Sequence, residues 1–158
     1  MRRFVLLLSA LLVFACSAGP GPRRADGIIL VTLDTTRADR IGCYGNAAAS
    51  TPMLDRLAAG GILFTDCFTQ VPTTLASHTT ILTSLYPHTH GVPRNGFGVP
   101  GEIRTITEDL ADGGFRTGAF VASFPLSHVF GLDGGFEVYD DETDTSPAGG
   151  ELERGAGG

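Results

Sequence analysis

Apolar and polar positions along this chain fall into blocks of different period, and each block predicts an element. Residues 27–33, GIILVTL, are almost wholly apolar, with glycine before them and Asp34 after. Such a run suits a central parallel strand buried on both faces. Thr51-Pro52 opens a helix, with threonine as N-cap and proline at the first helical position. Met53, Leu54, Leu57 and Ala58 give that helix an apolar face, and Gly60-Gly61 stops it. Residues 62–68 set Ile62, Phe64 and Phe68 on one side at strand period, with Asp66 interrupting near an edge. Residues 76–85 read as a buried helix with Ile81, Leu82 and Leu85 apolar. Tyr86-Pro87 ends it, because the residue before proline is pushed out of the helical region. Residues 87–101 are loop-like. Thr105-Ile106-Thr107-Glu108 has capping-box spacing, and Ile106, Leu110 and Ala111 carry a short helix to Gly113-Gly114. Phe115, Thr117, Ala119 and Val121 alternate as a further strand. The order strand, helix, strand, helix, strand predicts an α/β fold, a doubly wound sheet with helices on both faces.

The two ends follow neither period. Arg2 and Arg3 precede an apolar run, residues 4–14, that is too short to span a bilayer, so residues 1–18 read as a signal peptide. The run closes in Val13-Phe14-Ala15-Cys16, similar to a bacterial lipobox, in which the cysteine is lipidated. Phe14 is unusual there, which leaves plain cleavage after a small residue as the alternative. The expectation is an exported bacterial protein, periplasmic or outer-surface, anchored to the membrane through Cys16. Residues 19–26 form a tether of Gly, Pro and Arg. Residues 143–158 are glycine-rich without apolar periodicity and read as an irregular tail where a longer domain is cut short. Composition bounds the middle. A chain of 158 residues makes one domain at most, and 42% hydrophobic with 18% charged residues suits a packed core. The net charge of −6 argues against a nucleic-acid partner. Cys43 and Cys67 have no geometry in sequence and are expected unpaired.

Candidate chemistry gathers at two places. Asp34 sits at the carboxyl end of the first predicted strand, where open α/β sheets place ligands; a plain strand-end cap is the alternative. The start of the helix in residues 71–92, VPTTLASHTTILTSLYPHTHGV, brings Thr74, Ser77 and His78 together. Free N–H groups and the helix dipole favour an anion there, so a hydroxyl would face a phosphate- or sulfate-like group. Against this, Thr74 also reads as a helix cap, and Ser77 and His78 as exposed helix polarity. His88 and His90 lack a third neighbour and are a weak metal signal. Asp140, Asp141 and Glu142 read as a solvated loop.

The same stretch resembles the signature segment of the sulfatases, in the alkaline-phosphatase superfamily. Their motif is Cys-x-Pro-Ser-Arg, followed by a helix ending in Leu-Thr-Gly, then Tyr-Pro and His-Gly. Here stand Thr74-Leu75-Ala76-Ser77-His78, Ile81-Leu82-Thr83-Ser84, Tyr86-Pro87 and His90-Gly91. Thr74 replaces the cysteine that becomes formylglycine, and threonine cannot give that aldehyde. Ala76 replaces the proline and His78 the arginine. Sulfatases also carry an Asp-Asp pair that binds calcium after the first strand; Asp34 matches the first and Thr35 replaces the second. Residues 123–133 match the region of a sulfate-binding lysine and histidine, but no lysine is present and His128 is out of register. The resemblance covers residues 27–142, the N-terminal part of a sulfatase-like catalytic domain. It implies a hydrolase of sulfate or phosphate esters with Thr74 as nucleophile. It also implies a divalent cation, expected to be calcium, on Asp34 and Thr74. Ser77 and His78 would hold the anionic ester or its leaving group, and no formylglycine is expected. Family members continue for several hundred residues with further Asp and His ligands, so these 158 residues alone are expected to be inactive. The competing readings are a phosphoethanolamine-type transferase and a non-catalytic, lipid-anchored remnant; coding sequence past Gly158 discriminates them.

Overall fold

The computed structural model describes residues 26–142. The expected signal peptide, Cys16, most of the tether and the tail at 143–158 lie outside the described residues. The chain divides into two units, Met1–Thr32 and Leu33–Gly158. In the first, residues 27–32 form no strand among the described residues, and Ile29 is 91% exposed. This corrects the expectation of a buried central strand: an apolar run becomes a strand only where neighbours take its N–H and C=O groups.

The second unit begins with two 3₁₀ turns, Ala38–Arg40 and Gly42–Tyr44, followed by helix α1, Pro52–Gly60. The expected N-cap Thr51 makes no cap bond to its own helix. Its hydroxyl accepts from Gly42 N–H (2.9 Å) and donates to Asp55 (3.2 Å), whose carboxylate also accepts from Cys43 N–H (2.7 Å). Thr51 and Asp55 therefore clip the preceding turn onto α1. Met53 and Leu57 of the expected apolar face are exposed. Residues 62–68, expected as a strand, likewise have no ladder, and Ile62 and Phe68 face solvent. Cys43 and Cys67 are both free thiols.

Helix α2, Thr74–Thr83, is the centre of the packing. It starts two residues earlier than its pattern suggests and buries Leu75, Ala76 and Thr79, while Ile81 is 48% exposed. It ends before Pro87 acts, because Ser84 turns left-handed (φ 57°) and its N–H closes on Thr80 C=O at 2.8 Å. The loop expected next opens with one helical turn, α3, Pro87–His90. Leu75 and Ala76 meet Val92, Leu126 and Leu132 in the core, with Val71, Leu82, Val99, Val121, Phe130 and Tyr139 packed around them.

Helix α4, Ile106–Asp112, has the full capping box: Glu108 N–H donates to the Thr105 hydroxyl and Thr105 N–H to the Glu108 carboxylate. Gly135 lies against it. At φ 80°, a Cβ there would fall 2.4 Å from Glu108 N, so only glycine fits. Strands β1, Gly118–Phe120, and β2, Val138–Asp140, form a two-stranded parallel sheet in register Gly118–Val138 and Phe120–Asp140. They are joined through 3₁₀ turns Phe124–Leu126 and His128–Phe130. β1 falls inside the strand expected at 115–121. The acidic run is not the solvated loop expected: Asp140 lies in β2, and Asp141 is 15% exposed with three donors on one oxygen.

Candidate active site

The site is built where the turn at Asp34 meets the first turn of α2. Thr35 holds φ 56°, a conformation costly for a β-branched residue, and its N–H donates to Asp34 Oδ1 at 2.7 Å. That contact fixes one carboxylate oxygen and turns the other outward. Asp34 Oδ2 accepts the Thr74 hydroxyl at 2.9 Å, across forty residues of chain. The structure thus brings together the two residues that sequence separately marks as metal ligand and nucleophile.

Ser77 and His78 stand one turn further on, and both address Thr74 itself. The Ser77 hydroxyl donates to the Thr74 carbonyl at 3.0 Å, and His78 Nδ1 lies 2.8 Å from the same oxygen. A carbonyl only accepts, so Nδ1 carries the proton. Two side chains therefore hold the Thr74 main chain from one side. From the other side Asn95 Oδ1 accepts from Leu75 N–H at 2.8 Å. Sequence gave no signal for Asn95, which sits in an Arg-Asn-Gly stretch that reads as a turn.

His90 is wholly buried with both ring nitrogens engaged. Nδ1 accepts from Val92 N–H at 3.1 Å, so Nε2 carries the proton and donates to Thr80 at 3.1 Å. Desolvation lowers its pKa, which keeps the ring neutral and structural. His128 meets Asp141: Ser127 Oγ (2.6 Å), His128 N–H (2.9 Å) and His128 Nδ1 (2.8 Å) all reach Asp141 Oδ2. The Ser127 bond first, then those from His128, hold the Asp141 carboxyl down to about 2. Tyr139 is pushed up to about 12 by burial, then by Asp133 and Asp141, and donates to Leu126 C=O.

Asp34 Oδ2 and Thr74 Oγ1 are hard oxygens side by side and suit a divalent cation in kind. They are two of the ~6–8 oxygens calcium takes. Among the described residues no three His, Cys, Asp or Glu gather as further ligands. An open hollow of about 500 Å³ lies elsewhere, against Cys43, Asn46, Asp55, Ala58 and Leu63. None of the four candidate residues lines it.

Comparison with known proteins decides the family. The Sulfatase family model matches residues 27–149. The chain belongs to the sulfatase family. Human arylsulfatase A is 37% identical over 113 residues, covering 68% of this sulfatase-family chain and 22% of the human protein. N-acetylglucosamine-6-O-sulfatase of Bacteroides thetaiotaomicron is 28% identical over 131 residues, covering 82% of this chain and 24% of that protein. The crystal structure of the proposed sulfatase yidJ from Bacteroides fragilis superposes with a TM-score of 0.52 at 30% identity, over 55% of this chain and 20% of that one. This sulfatase-family chain spans about a fifth of the length of those relatives. The likeness to yidJ agrees with an alkaline-phosphatase-like fold, of which the described residues hold helices and a small parallel sheet.

Proposed function

We propose that this chain carries the nucleophile-bearing part of a sulfate-ester hydrolase, with Thr74 in the place of the family's modified cysteine. The observation that carries the reading is the 2.9 Å bond from the Thr74 hydroxyl to Asp34 Oδ2. It points the hydroxyl proton at a carboxylate and leaves the oxygen's lone pairs for an electrophile. Thr74 Oγ bonds to the ester sulfur as the S–O bond to the alcohol breaks; Asp34 takes the Thr74 proton and passes it to the departing alkoxide, which leaves as the alcohol. Water then attacks the sulfur of the Thr74 ester, the S–Oγ bond breaks, one water proton returns to Thr74, and hydrogensulfate leaves. Because threonine gives no formylglycine, release depends on this water. Ser77 and His78 hold the Thr74 carbonyl and stand where they can meet the anion or the leaving alcohol. A divalent cation, calcium by preference, would be held by Asp34 and Thr74, lower the hydroxyl's pKa and offset charge on the transferring group.

The same proposal extends to setting. The described helices and the parallel pair β1–β2 would belong to a doubly wound sheet with helices on both faces. Export and lipidation at Cys16 would place the site outside the cytoplasm, facing anionic esters there.

The test uses the product of the complete reading frame that contains this chain. Aryl sulfate and a phosphodiester are offered to wild type, Thr74→Ala and Thr74→Ser. We expect sulfate turnover, a kcat loss of at least 100-fold in the alanine variant, and partial activity in the serine variant. Equal kcat in wild type and Thr74→Ala would end the nucleophile assignment. Phosphodiester turnover alone would move the reading to phosphoryl chemistry.

A further inference from the structure

The first N–H groups of a helix have no partner within it, and a polar N-cap side chain ordinarily takes one. In α2 that post belongs to Thr73. Its backbone is extended as an N-cap requires (φ −127°, ψ 139°), but its side chain makes no cap bond. The Thr73 hydroxyl is instead buried without a partner among the described residues. The cap comes from outside the helix, through the Asn95 oxygen on Leu75 N–H at 2.8 Å.

That substitution of one cap by another has a geometric meaning. Leu75 follows the nucleophile directly and is fully buried. Asn95 is held on both flanks. Before it, Val92 is fully buried and tied to His90 Nδ1. After it, the chain turns at Gly96 (φ 86°), and Arg94 lies over the Phe97 ring at 5.5 Å. An amide N–H only donates, so the oxygen of Asn95 must face Leu75. Thr74 is therefore fixed at three points: its hydroxyl on Asp34, its carbonyl under Ser77 and His78, and the next amide on Asn95. The first two reach Thr74 itself from within its own helix or its partner. Asn95 ties the first turn to the loop after α3.

We propose that Asn95 is a positioning residue for Thr74, setting the rotation of the first turn of α2 so that the hydroxyl meets Asp34. The proposal rests on the reading of Thr74 as nucleophile. Without the cap the first turn frays, and a displacement of about 1 Å at a reacting group costs on the order of 100-fold in rate. Leu75, Ala76 and Thr79 remain packed, so the rest of α2 stays in place.

The test compares wild type, Asn95→Ala and Asn95→Asp in the product of the complete reading frame, with threonine methyls isotopically labelled. Aspartate keeps an acceptor for Leu75 N–H; alanine removes it. We expect the Thr74 methyl resonance to shift in Asn95→Ala and to return in Asn95→Asp. We expect kcat on an aryl sulfate to fall 10- to 100-fold in the alanine variant with KM within about threefold, and to recover in the aspartate variant. An unmoved Thr74 methyl in Asn95→Ala, or an unchanged kcat there beside a dead Thr74→Ala, would overturn the proposal. Absence of Thr74-dependent turnover in wild type would sink the functional reading instead, since the methyl signal judges the positioning without turnover.

Discussion

Thr35 follows Asp34 where the resemblance expects a second aspartate, and its backbone is held there at a cost. A β-branched residue at φ 56° is strained by roughly 1–3 kcal/mol, and Asp adopts the left-handed region more readily. Thr35→Asp therefore relieves backbone strain and adds a carboxylate beside Asp34. We expect calorimetry on the complete reading-frame product to show calcium bound at least tenfold more tightly by this variant. Equal affinity would mean that position 35 does not face the cation. Asp141 gives a second prediction at this scale. Its carboxyl titrates at about 2, held there by Ser127 and His128, against an ordinary value near 4. A depressed folded-state pKa contributes stability that is complete above the unfolded value and is lost as pH falls through the folded one. Asp141→Asn should thus lower Tm at pH 6, and the gap to wild type should close between pH 4 and pH 2. Thermal melts across that window check it; a gap that stays constant would mean the charge plays no part.

Ser84 ends α2 in a left-handed conformation at the place where the family motif has glycine. Glycine there removes the Cβ penalty but loses more freedom on folding, so Ser84→Gly should stabilise by roughly 0.5–1 kcal/mol. Denaturant unfolding would read this as a higher midpoint at constant slope, and a lower midpoint would count against it. The elements legible in the sequence are those whose cause is local. The Thr105–Glu108 capping box, the proline start of α1 and the glycine stop of α4 depend on residues three or four apart. The strands at 27–33 and 62–68 failed because a ladder needs partners far along the chain, and apolar composition cannot supply them. The site divides in the same way. Thr74, Ser77 and His78 share one helical turn and are visible together. The bond from Thr74 to Asp34 spans forty residues and that from His128 to Asp141 thirteen. The first pair was reachable through the family motif, and the second through nothing in the pattern. Asn95 was hidden for the same reason, since its partner Leu75 lies twenty residues away.

At the scale of the molecule, the apolar side chains have found little cover. Leu75, Ala76, Val92, Leu126 and Leu132 are buried, whereas Ile29, Ile62, Phe68 and Phe120 are each about 80–90% exposed. The two-stranded sheet leaves Phe120 outward and strand edges unpaired among the described residues. Exposed apolar surface on this scale marks faces meant to be covered. A core this small leaves few contacts to make unfolding cooperative. The cation shows the same shortage, because Asp34 and Thr74 bring two oxygens where calcium takes ~6–8. Expressed as these 158 residues alone, the chain should bind an apolar fluorescent dye, unfold over a broad range, hold calcium no tighter than millimolar and leave aryl sulfate intact. Dye binding, thermal melting, calorimetry and a turnover assay on one preparation test all four. A sharp unfolding transition without dye binding, together with micromolar calcium affinity and Thr74-dependent turnover, would show instead that this short chain completes both its core and its site by itself.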